Sequence, residues 1–224
     1  MPKTIVSMAD NIVRNLPGSI TPDREKAVIK SIQDFAIRSG FFKFTTEQTV
    51  TEYDVDSNAN DSVSLNPIGL GKYRPYRIER ILIDGVNKPT VRKELRSDMD
   101  DFDSVYKNGV VYYDIDVRGR LILFPFPTDT AFETASGSLV VTIEAVYTID
   151  DDTTEVDDFF YARWGKTIED GATGLMMSEF NKPWSNPNGA AQFINRYDAG
   201  RNSALMKRNL EEAGGELKAQ LIKF

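Results

Sequence analysis

Two proline-punctuated helical runs between Asp157 and Asn209 constrain this chain more than any other stretch. Asp157 is a good N-cap residue. Phe160, Trp164, Ile168, Ala172 and Leu175 then recur at spacings of four and three, which puts one apolar stripe on one helix face. Pro183 cannot continue a helix, so the first run ends at or before Lys182. Asn186 followed by Pro187 restarts one, as an N-cap and then a proline in the first turn. The second run carries Ala190, Ile194 and Tyr197 on one side, with Phe193 and Ala204 close by. Gly171 and Gly174 sit inside the first run, where each costs about 1 kcal/mol relative to alanine. The expected compensation is close approach of a neighbouring helix through its Ala190–Ala191 face. The pattern predicts an antiparallel helical hairpin, with the linker Asn181 to Pro187 at its bend.

Ahead of it, residues Ser7 to Leu16 form a short amphipathic piece stopped by Pro17-Gly18. Thr21-Pro22-Asp23 opens a helix whose stripe is Val28, Ile32, Phe35 and Ala36, with Gly40 as its C-terminal stop. From Phe41 the period changes to two: Phe42, Phe44 and Thr46 alternate with Lys43 and Thr45, and Thr49 to Tyr53 continue in β-favouring residues. Residues 54–61 read as a polar loop. Arg77 to Asp84 reads as a strand with Ile78, Ile81 and Ile83 for burial. Asp84-Gly85 reads as a hairpin turn, with Val86 to Arg92 returning beside that strand. Asp98 to Val105 is expected to form one helical turn. Val110 to Ile115 and Arg120 to Phe124 flank a turn at Arg118-Gly119, and Leu139 to Tyr147 alternates cleanly. The fold class is therefore α+β. An antiparallel β-sandwich-like or barrel domain of five to seven strands (41–150) is inserted between an N-terminal helical part (1–40) and the hairpin (151–212). A last segment (213–224) follows the break at Gly214-Gly215 and places Leu217, Leu221 and Phe224 at i, i+4 and i+7.

Composition narrows the chemistry. The 224 residues contain no cysteine and no histidine, which removes thiolate nucleophiles, Cys/His zinc sites and imidazole bases. The net charge of −7 comes without a basic cluster of the kind that grips phosphates, so DNA near this protein is expected to slide past rather than bind. Met1-Pro-Lys-Thr lacks the pattern of a secretory signal, and no apolar run is long enough to span a bilayer; synthesis in the cytoplasm is the expectation.

Each candidate motif has a blander reading that outweighs it. Asp54, Asp56, Asn58 and Asn60 have calcium-loop spacing, but Ala59 stands where glycine is wanted and Leu65 where a bidentate glutamate is needed. Asp98, Asp100, Asp101 and Asp103 form an acidic turn, and nothing in the sequence sets two of them across a cleft. Asp150 to Asp152, Glu155, Asp157 and Asp158 serve capping and solubility at a helix N-terminus. Ser104-Val-Tyr-Lys107 lacks the companion motifs of acyl-transfer enzymes, and Gly69-Leu-Gly71 lacks the rest of a phosphate loop. The expectation is a non-enzymatic protein without metal or cofactor.

The residues Gly171-Ala172, Leu175-Met176-Met177, Lys182-Pro183-Trp184-Ser185-Asn186-Pro187, Ala190-Ala191 and Phe193 to Tyr197 resemble the head-to-tail adaptor, or connector, proteins of tailed bacteriophages, including the podovirus tail tubular protein A group. The resemblance covers about the last third of the chain; the β-rich middle matches only in general character. It implies a structural virion protein of the neck region, a homo-oligomeric ring of about twelve subunits between the portal protein and downstream tail or nozzle proteins. DNA passes through its channel during ejection without specific binding, and no membrane is involved. By its sequence alone the C-terminal segment either frays, packs back on its own subunit or docks on a partner; the resemblance favours docking on the portal through Leu217, Leu221, Ile222 and Phe224, while Pro183, Trp184, Ser185, Asn186 and Pro187 form the hairpin linker. A second reading stays open: a tail-associated β-sandwich module recognising a glycan or another ligand through exposed tyrosines among Tyr73, Tyr76, Tyr106, Tyr112 and Tyr113, residues that otherwise fill cores. A carboxylate-dependent hydrolase is a third class.

Overall fold

The computed structural model describes residues 3–51, 55–56, 62–67, 73–88, 90–92, 111–115, 120–124 and 138–212. The chain is α+β, and among the described residues its sheets do not close into a barrel. It divides into two compact units. One consists of Met1–Phe42 with Thr148–Phe224, the other of Lys43–Tyr147.

The first unit is built on four helices among the described residues: α1 (Ile5–Ile12), α2 (Thr21–Ser39), α3 (Asp158–Met177) and α4 (Pro187–Glu212). Strand β1 (Lys3–Thr4) pairs antiparallel with a strand at Glu155–Val156, which ties the start of the chain to the entry of α3. Thr4 caps α1 by accepting from the Ser7 N–H at 3.2 Å. The apolar run expected from Ser7 to Leu16 is helical earlier, from Ile5 to Ile12, then tightens into a 3-10 turn at Val13–Asn15. Pro22 sits in the first turn of α2, but Thr21 does not cap it. Ile20 holds the cap position, and the Thr21 hydroxyl instead accepts from Arg24 Nη2 at 3.0 Å. Arg24 is buried because its guanidinium donates to the carbonyls of Ala9 (3.1 Å) and Ser19 (2.6 Å), pinning α1 to α2. Gly40 ends α2 in the left-handed region (φ 62°), where a glycine costs nothing, and its N–H donates to Ala36 at 2.9 Å.

The stripe of α2 is fully buried, as is most of that of α3. Their common core is aromatic: Phe35 lies 5.8 Å from Phe160 and 5.4 Å from Trp164, and Phe42 lies 4.9 Å from Phe160, ring centre to ring centre. Burying each of these side chains contributes roughly 1.5–3 kcal/mol. One member of the expected stripe is misplaced. Leu175 is 43% exposed, and Met176 takes the buried position instead. Asp157 occupies the N-cap position of α3 without a side-chain cap bond.

The second unit holds two sheets. Strands β2 (Lys43–Thr51), β5 (Tyr73–Ile83), β6 (Val86–Lys88) and β10 (Ser138–Ile149) form the first, in the order β2-β10-β5-β6. Strands β3 (Val55–Asp56), β4 (Ser62–Pro67), β7 (Thr90–Arg92), β8 (Val111–Ile115) and β9 (Arg120–Phe124) form the second, in the order β3-β4-β9-β8-β7. Leu139, Val141, Ile143 and Ala145 carry the period of two into packing in β10; in β5 Ile81 and Ile83 keep it, but Ile78 is buried three places before Ile81. Asp84 and Gly85 both have positive φ (50° and 76°), as a two-residue turn between twisted strands requires.

Three expectations are corrected. The segment Val86 to Arg92 does not all return beside β5: only Val86–Lys88 does, while Thr90–Arg92 pairs parallel with β8 in the other sheet. The sheets are therefore not wholly antiparallel. Finally, the stretch taken as a polar loop contains β3, which pairs with β4, a strand the period analysis missed. The expected turns at 98–105 and 118–119 lie outside the described residues.

Candidate functional site

The hairpin bend is a built corner. After α3, Asn181 adopts a left-handed conformation (φ 59°), and the Asn186 N–H donates back to the Met177 carbonyl at 2.9 Å. The Ser185 N–H closes a turn on Lys182 at 3.0 Å. Trp184 is buried, with the Lys182 ammonium 5.5 Å from its ring centre. Pro183 lies against Gly18. Asn186 caps α4, its Oδ1 accepting from the Gly189 N–H at 3.0 Å, and Pro187 follows in the first turn. The five linker residues thus shape the bend. The feature most open to a partner stands just before them: Phe180 is 83% exposed, beside exposed Glu179. Sequence reasoning did not single it out, because nothing in Ser178-Glu179-Phe180 distinguishes an exposed phenylalanine from a buried one.

Glycines let α3 approach its neighbours, but not through Ala190–Ala191. A Cβ on Gly171 would meet Ser31 and Tyr197, and one on Gly174 would meet Ile194 and Phe193. The surfaces that come together are therefore α2 and the middle of α4. Ser31 Oγ donates across this contact to the Ile168 carbonyl at 2.9 Å.

Beside the contact a cleft of about 390 Å³ opens, lined chiefly by Asp34, Arg38, Leu175, Ile194, Tyr197 and Arg201. Its polar centre is Asp34. The carboxylate accepts from Tyr197 Oη at 2.7 Å and pairs with Arg38 Nε at 2.7 Å and Arg201 Nη1 at 3.7 Å. Burial, then the hydrogen bond to Asp34, push the Tyr197 phenol well above its ordinary range, so it stays protonated at neutral pH. The cleft offers apolar surface and a satisfied charge network rather than an activated nucleophile.

A smaller cavity of about 170 Å³ lies at the opposite end of the hairpin. It is lined by Phe41, Trp164 and Ala204 with exposed Phe159, and by the cationic side chains of Arg163, Lys207 and Arg208. The Arg163 guanidinium sits 5.4 Å from the Trp164 ring centre.

The proposed portal-docking residues Leu217, Leu221, Ile222 and Phe224 lie outside the described residues, as do Asp98 to Asp103, Ser104 to Lys107 and all of the calcium-like set except Asp56. Among the acids of 150–158, Asp151 accepts from Gln33 Nε2 at 2.8 Å. Among the described residues no three acidic side chains gather as a metal site, and no helix is long and apolar enough to cross a membrane. Of the tyrosines open to a ligand-binding role, Tyr73 and Tyr113 are buried and Tyr76 is exposed, while Tyr106 and the Tyr112 side chain lie outside the described residues. Compared with known proteins, the chain matches no family model and no curated sequence.

Proposed function

We propose that this chain is a structural subunit of a tailed-phage head-to-tail adaptor ring. The observation that carries the reading is the bend: the stretch Lys182 to Pro187, on which the resemblance rests, folds into a capped corner around buried Trp184. The helical unit supplies a ring body. The sheet-bearing residues 43–147, inserted as a sandwich-like domain, reach toward tail components. The segment 213–224 docks on the portal through Leu217, Leu221, Ile222 and Phe224. Assembly proceeds by repeated heterologous contact that closes a ring of about twelve copies around a DNA channel, and no step needs chemistry.

Negative-stain microscopy of the purified protein, alone and mixed with a candidate portal ring, tests this. Rings in either sample, with portal attachment lost on deletion of residues 213–224, are the expected result. A monomer that ignores portals at every concentration sinks the reading.

A further inference from the structure

Among the described helices, α4 alone presents a long outward face without charge. Asn188, Asn195, Asn202 and Asn209 recur every seven residues, and Gln192, Ala199 and Met206 fill the turns between them. Spacings of three and four put all seven on one face, and all seven are exposed. Buried Ala190, Tyr197 and Ala204 hold the opposite side of the helix. From Asn188 to Met206 the face runs about 27 Å, with Arg196 and Asp198 falling outside it on either flank. At its end Asn209 Oδ1 accepts from Arg208 Nη2 at 3.5 Å. A surface helix ordinarily turns charged residues to water, and the other helices do so: Asp10 in α1, Lys26 and Lys30 in α2, Arg163 and Lys166 in α3 are exposed.

The core of a protein–protein interface is also poor in charge, but it is rich in aromatic and apolar side chains. Here only Ala199 and Met206 are apolar, too little for such a core. A polyanion that must move along a wall asks for what α4 offers. Lysine and arginine hold phosphates through counterion release, and carboxylates repel them. Side-chain amides reach phosphate oxygens by single hydrogen bonds, without that electrostatic hold. We infer that the amide face of α4 lines the central channel of the ring and is the surface against which duplex DNA slides. The inference rests on the adaptor reading for the ring and for its DNA, and adds which residues form the wall. The rotation that relates the subunits repeats each asparagine as a circle of amides, with successive circles about 10 Å apart along the helix.

The chain has no cysteine, so one introduced thiol is a unique label. Rings of Asn195→Cys and of the control Lys26→Cys, assembled alone or on the portal, are tagged with gold clusters and viewed end-on by electron microscopy. Gold should gather at the channel for Asn195→Cys and away from it for Lys26→Cys. The second arm measures binding of short linear duplex DNA to rings. The parent should bind weakly, with little dependence on salt. Asn195→Lys combined with Asn202→Lys should raise affinity by roughly tenfold or more at low salt and lose the gain as salt rises. Glu179→Lys changes the net charge by the same amount at an exposed site off this face, and should not. Support needs both results, with circular dichroism showing each variant folded. Gold away from the channel, or a DNA gain that is missing or equal in the two lysine proteins, overturns the inference and leaves the adaptor reading standing. A thiol at position 195 that the reagent cannot reach in assembled rings overturns it too, because the face is then buried between subunits. A parent chain that forms no ring even with the portal refutes the adaptor reading and this inference with it.

Discussion

Replacing Gly171 by alanine sets two effects of opposite sign against each other. Helix propensity alone favours the change by about 1 kcal/mol. The new methyl, however, has no room, because its ideal position lies 2.5 Å from Tyr197 Cδ2 and closer still to Ser31 Oγ. Neither neighbour yields cheaply. Tyr197 is buried and held by its hydroxyl, which donates to Asp34, and Ser31 donates to the Ile168 carbonyl. Overpacking of this kind costs about 1–3 kcal/mol, and displacing the Ser31 hydrogen bond adds about 1 kcal/mol. The balance is a loss of about 2 kcal/mol from the helical unit.

The assay is built into the sequence. Both tryptophans of the chain, Trp164 and Trp184, lie buried in the helical unit, so their fluorescence follows the unfolding of that unit. With a urea slope of about 1–2 kcal/mol per molar, the midpoint should fall by about 1 M or more. A midpoint equal to or above the parent's refutes the close approach of α2 and α4 on Gly171.

Three further outcomes follow from the same unit. Gly40→Ala should lower its stability by about 1–2 kcal/mol in the same titration, because φ is 62° and the Arg208 guanidinium occupies the space a side chain would need. Asn186→Ala should cost about 1 kcal/mol, through loss of the cap on the Gly189 N–H, again read from the fluorescence midpoint. The pH dependence of stability should also be altered in Tyr197→Phe. The folded phenol is raised above its unfolded value of 10.0, so the unfolded state releases its proton first and stability falls as pH rises through and beyond that value. Between pH 9 and pH 11 the parent should lose about 1 kcal/mol more than the variant; equal losses would show that Tyr197 is not the group responsible.

Much of the helical unit was legible because its signals are local. The bend needs only Asn186, Pro187 and a proline two places after Asn181 to stop one helix and start the next. The end of α2 needs only Gly40. The β strands with clean alternation, such as β10, were legible for the same reason. Strand β4 was not: Ser62 to Pro67 offers only Val63 and Leu65 as alternating apolar residues and closes on proline, too little pattern to stand out from a loop. The parallel pairing of β7 with β8 was equally hidden, since pairing partners are chosen across the sheet and not along the chain.

The candidate site divides in the same way. The sequence by itself determined where α2 stops and where α4 starts, because the Gly40 stop and the Asn186-Pro187 cap act over three or four residues through hydrogen bonds of known geometry. It also determined that these 224 residues supply no thiol or imidazole side chain. Only the tertiary structure decided what the helix faces meet. Leu175 is left half outside while Met176 is covered, Gly171 faces Tyr197 rather than Ala190, and Phe180 stands in solvent. Asp34 finds Tyr197 across 163 residues of sequence. Such choices follow from how three helices cross, and a crossing depends on the fit of whole surfaces, which no short stretch of sequence encodes.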